Sequence, residues 1–421
     1  MTGSLPTSGN QPVWAGARDR LMALANRLAR GRWVTVPLLA AAMATVRVTD
    51  PPADLMTFGE LGRAVLSGHL AAAYATDYNQ GGPLQILAAA PVPEHVLRSM
   101  LLLRITVAIW GATLALVAMW LIRVMRRSLD LASSTELELA AGAVAALWLA
   151  GGDLFSGHLA ELTIPLSWVV AAIAARRGNP VVAGLLLGTS AGWEPWGLLG
   201  TPVAVLAPRL RGVTLAVLTC LAATALLYLP FVLAGSFALL HHRWPINDGT
   251  VDHALWPHAT TFGWGLRLLQ AGMCAAVGSG IALSVRRNAC AVWLVPLVII
   301  LVRLIFDPTD FAYYWVGAQV ALVAGIAVIR VHRRLSLVLF VAISWCVSTS
   351  WGAWRTTDTI TALVLSVVLA VVERRGIREL GNESRQVEAT SPTAGGQPMV
   401  DRDVGHIDAD HRLAQSAGHL R

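Results

Sequence analysis

Two carboxylates, Asp50 and Asp54, lie four residues apart around a Pro-Pro pair, directly after the first apolar run of the chain. Two such side chains facing one site could hold a divalent cation, because Mg²⁺ and Ca²⁺ take carboxylate oxygens as ligands. A D-x-x-x-D spacing is by itself a weak metal signal, however. We therefore predict no cofactor and keep a divalent metal as the open alternative.

Three arginines, Arg104, Arg267 and Arg303, lie a few residues inside apolar runs. An unpaired charge there is costly, so each arginine needs a partner. A nearby carboxylate such as Asp307 or Asp310 would make a structural ion pair. The functional alternative is a phosphate at the edge of a bilayer, because a planar guanidinium binds phosphate oxygens in bidentate fashion.

His158 and Glu161 form an H-x-x-E pattern at the start of an apolar run. On a helix this spacing turns both side chains the same way, but a zinc site would need further ligands in register. We interpret the two residues as an interfacial pair, with acceptor binding as the alternative. Trp193 is one of several tryptophans near the same predicted boundary, where an aromatic belt or a platform for a sugar would explain them.

The elements that must position these residues are predicted to be transmembrane helices. Of the 421 residues 55% are hydrophobic and 14% are charged, and apolar runs of about 14 to 24 residues match a bilayer-spanning helix. We expect an all-α polytopic membrane protein. The net charge of +7, carried by arginine without any lysine, lies in short clusters between apolar runs. This pattern indicates the positive-inside rule and excludes nucleic acid as the partner.

The arginine clusters also predict the topology. If every cluster lies in the cytoplasm, the apolar runs form about twelve spans with both termini inside. The spans are placed at 33–48, 99–122, 137–151, 162–175, 180–193, 195–207, 213–234, 262–285, 289–305, 313–330, 335–351 and 359–373. The short apolar segment 82–92 is interpreted as re-entrant or interfacial because it ends in prolines.

Three regions follow from this topology. A basic cytoplasmic segment, 1–32, precedes a transmembrane domain, 33–375, and the polar segment 376–421 is predicted to be a disordered cytoplasmic tail. Large loops, 49–98 and 235–261, lie on the outer face, so we expect the protein to act there. The absence of lysine indicates a high-GC bacterial coding bias, and the expected location is the bacterial plasma membrane.

The first outer loop carries a recognisable order of residues. Asp54–Phe58 reads D-L-M-T-F, and Leu66–Gly68 and Tyr74 follow it. This order resembles the D-L-x-x-[YF] … L-x-G … Y signature of bacterial polyprenol-phosphate-mannose-dependent mannosyltransferases, which are membrane glycosyltransferases with the GT-C fold. The segments 157–159 and 183–188 are similar to the paired-helix region of that family.

The resemblance covers about residues 33–335 and extends to a late outer loop. There the stretch RLIFDPTDFAYYW, 303–315, resembles the loop that approaches the donor in the family. The chain departs from the pattern at two places. Gly81-Gly82-Pro83 replaces Y-P-P, and Glu194-Pro195 replaces a lysine before proline, which exchanges a cation for an anion and argues against a donor-phosphate role for that position.

The resemblance implies transfer of a sugar, mannose or another hexose or pentose, from a polyprenyl phosphate to a lipid or cell-envelope glycan on the outer face. Such enzymes invert the anomeric carbon, which needs a carboxylate that takes the acceptor proton and a cation that stabilises the leaving phosphate. Asp54 is the expected base, with Asp50 as the second choice. Arg303 is the expected phosphate ligand, with Arg104 and Arg267 behind it.

The other expected substrate-binding residues lie in the same outer segments; they are His158, Glu161, Trp193, Glu194, Asp307 and Tyr314. The implied partners are the polyprenyl-phosphate sugar, the acceptor and membrane lipids, and the sequence indicates no oligomeric state. Two alternatives stay open. One is a catalytically inactive family member that acts as a lipid-phosphate-binding scaffold, and the other is a transporter of lipids or solutes, although no repeated half is evident.

Overall fold

The computed structural model describes residues 23, 26–27, 29–48, 52–76, 79–149, 157–235, 237–309, 311–329, 334–349 and 355–390. Asp50 and Asp310 lie outside these residues, as do most of the predicted basic segment 1–32 and the last part of the predicted tail, 391–421. The chain divides into two units, Met1–Arg375 and Gly376–Arg421.

The described residues are mostly helical. The α-helices are α1 (Arg32–Arg47), α2 (Ala53–Leu66), α3 (Pro83–Ala89), α4 (Glu94–Arg98), α5 (Met100–Ser128), α6 (Thr135–Trp148), α7 (Ala160–Arg176), α8 (Pro180–Trp193), α9 (Leu210–Leu233), α10 (Val251–Leu255), α11 (Trp264–Val285), α12 (Ala291–Ile305), α13 (Val316–Ile326), α14 (Arg334–Thr349) and α15 (Arg355–Thr390). Shorter 3₁₀ helices are Leu70–Tyr74, Pro195–Leu206, Ala238–His241 and Ala312–Trp315. Two strands, β1 (Trp244–Pro245) and β2 (Thr261–Phe262), pair antiparallel in the second large loop.

Four helices of the described chain are long and apolar enough to cross a membrane, namely Met100–Ser128, Leu210–Leu233, Trp264–Val285 and Arg355–Arg375. Several shorter apolar helices accompany them, so the prediction of a helical membrane protein is confirmed in this coarse form. The count of twelve spans stays a prediction. The strand pair is a small departure from an all-α fold and lies within a predicted outer loop.

Two predicted elements take another form. The predicted span 195–207 is a 3₁₀ helix, Pro195–Leu206, which begins at Pro195 and contains Pro202. The first predicted outer loop, 49–98, is not an open loop, since it holds three α-helices and one 3₁₀ helix. Its apolar segment 82–92 begins with the short helix α3.

The core is centred on α12 and α13, all of whose residues are buried. The helix α9 lies at the other extreme, with many exposed leucines such as Leu218, Leu226 and Leu233. An exposed apolar helix face of this extent is suited to contact with lipid.

Glycines allow the helices α8 and α9 to pack closely against each other. Gly184, Gly188 and Gly192 recur every fourth residue on α8. A Cβ at Gly184 would lie 2.4 Å from the carbonyl oxygen of Ala216, and one at Gly188 would lie 2.5 Å from the Cβ of Ala223. The backbones of α8 and α9 therefore approach each other as in other small-residue helix pairs of membranes.

Candidate active site

Asp54 and His158 meet at the start of two helices. Asp54 lies in the first turn of α2, after the extended Pro52, and His158 lies just before α7. The Oδ2 atom of Asp54 is 2.8 Å from Nε2 of His158. The Asp54 side chain thus lies at the positive end of the α2 dipole.

Gly157 allows the chain before His158 to come close to the first turn of α2, where Asp54 lies. Its φ is +113°, in the left-handed region that L side chains rarely adopt, and a Cβ on it would lie 2.3 Å from the backbone nitrogen of Leu55. Only glycine can bring the chain so close to the first turn of α2. The residue before His158 thus sets the distance between the imidazole and Asp54.

His158 is held between two carboxylates. Its second ring nitrogen, Nδ1, is 3.4 Å from Oε1 of Glu194. The ring of Tyr313 stacks on the imidazole with centroids 4.1 Å apart, and Phe58 meets it edge-on at 5.9 Å. Burial lowers the pKa of His158, but the hydrogen bonds to Asp54 and Glu194 outweigh burial and raise the pKa to about 9. The ring is therefore an imidazolium at neutral pH.

Glu194 is positioned by backbone geometry on both sides. It is the last residue before the 3₁₀ helix Pro195–Leu206, and its extended backbone follows the end of α8. The carbonyl oxygen of Trp193 accepts a hydrogen bond of 2.7 Å from the N–H of Gly82. Gln85 donates to Glu194 over 3.5 Å and accepts from the N–H of Ala160 over 2.9 Å, so α3 links Glu194 to the start of α7.

A second group of charges surrounds Arg303 near the end of α12. Arg303 forms a bidentate pair with Glu161, with both nitrogen–oxygen distances at 3.0 Å. Its Nε lies 3.5 Å from Oδ2 of Asp307. The guanidinium carbon also lies 3.8 Å from the ring centroid of Trp196 and 4.7 Å from that of Tyr314. Arg303 is thus a buried cation with its partners in place.

Asp307 connects this pair to Arg267. Both terminal nitrogens of Arg267 lie 3.3 Å from the carboxylate of Asp307. The guanidinium also donates to Gln270 and lies over the ring of Trp244, 4.4 Å from its centroid. Its Nε is buried and has no hydrogen-bond partner in the described part of the chain. One donor of the Arg267 guanidinium is therefore left without a partner among these residues.

Asp252, from the short helix α10, is a further buried carboxylate close to this group. Burial, together with the charge of Asp307, raises the pKa of Asp252 to about 6. Its Oδ2 is buried and finds no hydrogen-bond partner among the residues that the structure describes. Asn247, in the same loop, donates from its backbone to the carbonyl of Pro308, which ties the loop to the end of α12.

Beside these charges lies a cavity of about 410 Å³. Its walls come mainly from α9, α11 and the 3₁₀ helix Pro195–Leu206, and they are largely apolar. The polar wall residues are few; they are Gln80, Glu194, Thr224, Tyr228, Arg267, Gln270, Arg303 and Tyr314. Exposed leucines such as Leu240 and Leu268 belong to the same wall. The cavity is suited to an apolar chain with a small charged head.

The structure brings together most of the residues that the sequence singles out. Asp54, His158 and Glu194 form one group, and Glu161, Arg303, Asp307, Arg267 and Tyr314 form a second. Glu161 binds Arg303 and not His158, so the H-x-x-E residues do not form the predicted pair. Arg104 is exposed on α5 and does not line the cavity, and Trp193 contributes its backbone carbonyl.

Sequence reasoning missed several residues of the site. Gln85, Tyr313, Trp196 and Gln270 all contact the predicted residues. Gln270 donates to the carbonyl oxygens of Arg303 and Phe306, each over 2.9 Å, and so fixes the end of α12. A glutamine within an apolar run is the signal that could have found Gln85 and Gln270.

No group of three or more His, Cys, Asp or Glu side chains that could hold a metal occurs in the part of the chain that the structure describes. Asp50, one half of the carboxylate pair that raised the possibility, lies outside these residues. A divalent metal therefore stays an open alternative.

Comparison of the chain with protein-family models, with curated proteins and with solved structures finds no match. The interpretation of the site depends on its geometry.

Proposed function

We propose that this protein is a membrane glycosyltransferase that moves a sugar from a polyprenyl phosphate to a hydroxyl of a lipid or cell-envelope glycan. The observation that carries the proposal is a half-exposed carboxylate, Asp54, hydrogen-bonded to His158 beside a largely apolar cavity with arginine in its wall. An inverting transfer needs these three things in one place: a base, a lipid site and a cation for the phosphate.

Asp54 is suited to take the proton of the acceptor hydroxyl. Its side chain is 35% exposed, whereas that of Glu194 is 12% exposed, so Asp54 is the more open of the two carboxylates that flank His158. His158 orients the carboxylate through its Nε2, and the remaining lone pairs of Asp54 can accept from an acceptor. As the hydroxyl oxygen attacks the anomeric carbon, its proton passes to Asp54 and the bond to the phosphate oxygen breaks.

Arg267 is the better candidate for the phosphate than Arg303. The charge of Arg303 is matched by Glu161 and Asp307, and its side chain is 4% exposed. Arg267 also pairs with Asp307, but its Nε has no hydrogen-bond partner within the described residues, and its side chain lines the cavity. A phosphate at the polar end of the cavity could pair with the Arg267 guanidinium, while the polyprenyl chain follows the apolar wall.

The same arrangement supports an orientation with the site on the outer face of a bacterial plasma membrane. His158 lies at the start of α7 and Arg176 at its end, and Arg267 lies near the start of α11 and Arg286 just after its end. Site residues and basic clusters thus occupy opposite ends of the same helices, as the positive-inside rule requires for an outer site. About twelve spans in a GT-C-like bundle and cytoplasmic termini belong to this proposal.

The test is sugar transfer by purified protein in liposomes that contain a radiolabelled polyprenyl-phosphate mannose and the lipid fraction of the host. We expect the wild type to label an acceptor and Asp54→Asn to lose at least about 100-fold in rate, as for other general bases. The matched control is Glu60→Gln, which removes an exposed carboxylate from the same helix and should keep full activity. Undiminished transfer by Asp54→Asn would exclude Asp54 as the base.

A lipid-phosphate-binding scaffold is the second candidate, and the pairing of Arg303 favours it. With Glu161 and Asp307 in place, the central cation of the site is neutralised. Binding of the polyprenyl phosphate by the wild type, without labelled product from any sugar donor, would identify this function.

A further inference from the structure

Glu194 offers a carboxylate oxygen that the protein itself does not use. The residue lines the cavity together with Arg267, and its side chain is 12% exposed. His158 and Gln85 both contact Oε1 of Glu194, over 3.4 Å and 3.5 Å. The other oxygen, Oε2, receives no hydrogen bond from the residues that the structure describes, and it does not belong to their fully buried atoms without a partner. Oε2 is therefore accessible to a ligand.

The local structure does not need Oε2 of Glu194. Glu194 directly precedes the 3₁₀ helix Pro195–Leu206, but its side chain makes no capping hydrogen bond to that helix. His158 and Gln85 hold the carboxylate in place through Oε1. An ionised carboxylate has two oxygens that only accept hydrogen bonds. The free oxygen is thus suited to a ligand that carries hydroxyl groups.

We propose that Glu194 binds hydroxyl groups of the donor sugar and thereby selects a sugar without a negative charge. This inference rests on the proposed transferase function and names the class of sugar that the site takes. Glu194 is then a specificity-determining residue, and it takes no part in the proton transfer to Asp54.

The position of Glu194 agrees with the path of the transfer. In the proposed reaction the phosphate lies in the cavity beside Arg267, and the hydroxyl that attacks lies at Asp54. The sugar has to connect these two places, because its anomeric carbon leaves the phosphate and bonds to the attacking oxygen. Glu194 faces both places, since it lines the cavity and shares His158 with Asp54.

The neighbouring wall of the cavity fits the same class of ligand. Gln80, Thr224 and Tyr228 are uncharged polar residues of this wall. The hydroxyl of Tyr228 donates to the carbonyl oxygen of Ala191 over 2.9 Å, so the Tyr228 oxygen can still accept a hydrogen bond. These groups can contact sugar hydroxyls without adding charge to the cavity.

A negatively charged sugar would be repelled at this position. Both arginines of the cavity wall pair with carboxylates of the chain, and His158 is shared by Asp54 and Glu194. A uronate carboxylate beside Oε2 of Glu194 would therefore meet no unmatched cation among the described residues. The largely apolar wall screens such repulsion less than water does.

The test is a double-mutant cycle between Glu194 and the hydroxyls of the sugar, measured as transfer in liposomes. Polyprenyl-phosphate mannose is compared with analogues that each lack one hydroxyl, in the wild type and in Glu194→Ala. With the wild type, at least one analogue should lose about 10-fold or more in kcat/KM, because it leaves a charged hydrogen-bond partner unpaired. With Glu194→Ala, the same analogue and mannose should differ by less than about 3-fold. A poorly folded fraction, or a disturbed His158, slows both donors alike and cancels in this ratio.

Glu194→Gln provides a second measurement, because the amide keeps the size of the side chain and removes its charge. The additional donor is polyprenyl-phosphate mannuronate. We expect the wild type to transfer mannuronate at least about 10-fold more slowly than mannose, and Glu194→Gln to narrow this ratio at least about 3-fold. The matched control is Glu60→Gln, an exposed carboxylate that does not line the cavity, and it should keep both wild-type ratios.

The outcomes distinguish the role of Glu194 from the function on which it rests. If the wild type transfers mannose, the same analogue ratios in Glu194→Ala would overturn hydroxyl binding, and the same mannuronate ratio in Glu194→Gln would overturn the charge selection; the transferase would stand in both cases. If the wild type transfers no mannose, the transferase fails, and binding decides on Glu194. Tighter binding of polyprenyl-phosphate mannose than of polyprenyl phosphate, lost in Glu194→Ala, would then support a sugar ligand, whereas a preference that is absent or unchanged would overturn it.

Discussion

His158 should make the stability of the folded protein depend on pH. Burial lowers its pKa, but the hydrogen bonds to Asp54 and Glu194 raise its pKa from the ordinary value of 6.5 to about 9. This difference corresponds to about 3 kcal/mol in favour of the charged ring in the folded chain, because one pH unit is worth about 1.4 kcal/mol. The side chain is 15% exposed, so screening by solvent removes little of this free energy.

The sign of the effect follows from the direction of the pKa change. The folded protein binds the proton of His158 more tightly than the unfolded chain does, so protonation stabilises the fold. The contribution is fully present below about pH 6.5 and is lost as the pH rises through about 9.

The measurement compares wild type with His158→Gln by thermal unfolding in one detergent from pH 6 to pH 10. We expect the gap in unfolding free energy to be largest at pH 6 and to shrink by about 3 kcal/mol at pH 10. His258→Gln, which changes an exposed histidine of the second large loop, is the control and should give a gap that does not vary in this way. A gap between wild type and His158→Gln that stays constant or widens with pH would refute the assignment of a paired imidazolium.

Three further predictions concern the supports of the site. Gly157→Ala should destabilise the fold by more than about 2 kcal/mol, because the new Cβ would clash with the backbone of α2 and alanine is strained at this positive φ. Gly178 also has a positive φ but has open space around it, so Gly178→Ala should cost less in the same unfolding assay. Arg267→Gln should raise the KM for the polyprenyl-phosphate donor at least about 10-fold by removing a charge-assisted contact, whereas Arg104→Gln, on the exposed face of α5, should leave it unchanged. Glu161→Gln leaves the buried Arg303 with only Asp307, which Arg267 also uses, and should cost about 3 kcal/mol of stability. An unfolding midpoint equal to that of the wild type would contradict the bidentate pair.

Helix positions could be predicted where local signals mark both ends. The span predicted at 180–193 matches α8, because Pro180 begins the helix and Glu194-Pro195 ends it. The prediction that Asp307 could pair with the arginines of the apolar runs is also confirmed for Arg267 and Arg303. Such ion pairs can be expected from the hydropathy of the sequence, because a charged side chain within an apolar helix needs a partner.

Pairs between distant helices could not be predicted in this way. Asp54 and His158 are 104 residues apart, and Glu161 and Arg303 are 142 residues apart, so no local period connects them. The H-x-x-E pattern was misleading because α7 begins only at Ala160. His158 precedes the helix, so the rule that residues three apart face the same way does not apply to it.

Arg104 shows a different limit of sequence reasoning. The helix α5 is apolar on all sides, and hydropathy does not reveal which face the bundle covers. Arg104 falls on the side that carries the exposed Leu101 and Ile105, away from the buried Leu103. An arginine inside an apolar run can therefore lie on an exposed face and need not join a site.

The charge of the group formed by Asp54, His158 and Glu194 explains how an anion at position 194 is compatible with a phosphate nearby. With both carboxylates ionised and the imidazole protonated, the group carries one negative charge, and the pair of Arg267 and Asp307 adds none. The imidazolium of His158 thus offsets part of the repulsion between Glu194 and a phosphate beside Arg267, and a fixed cation is not required at position 194 itself.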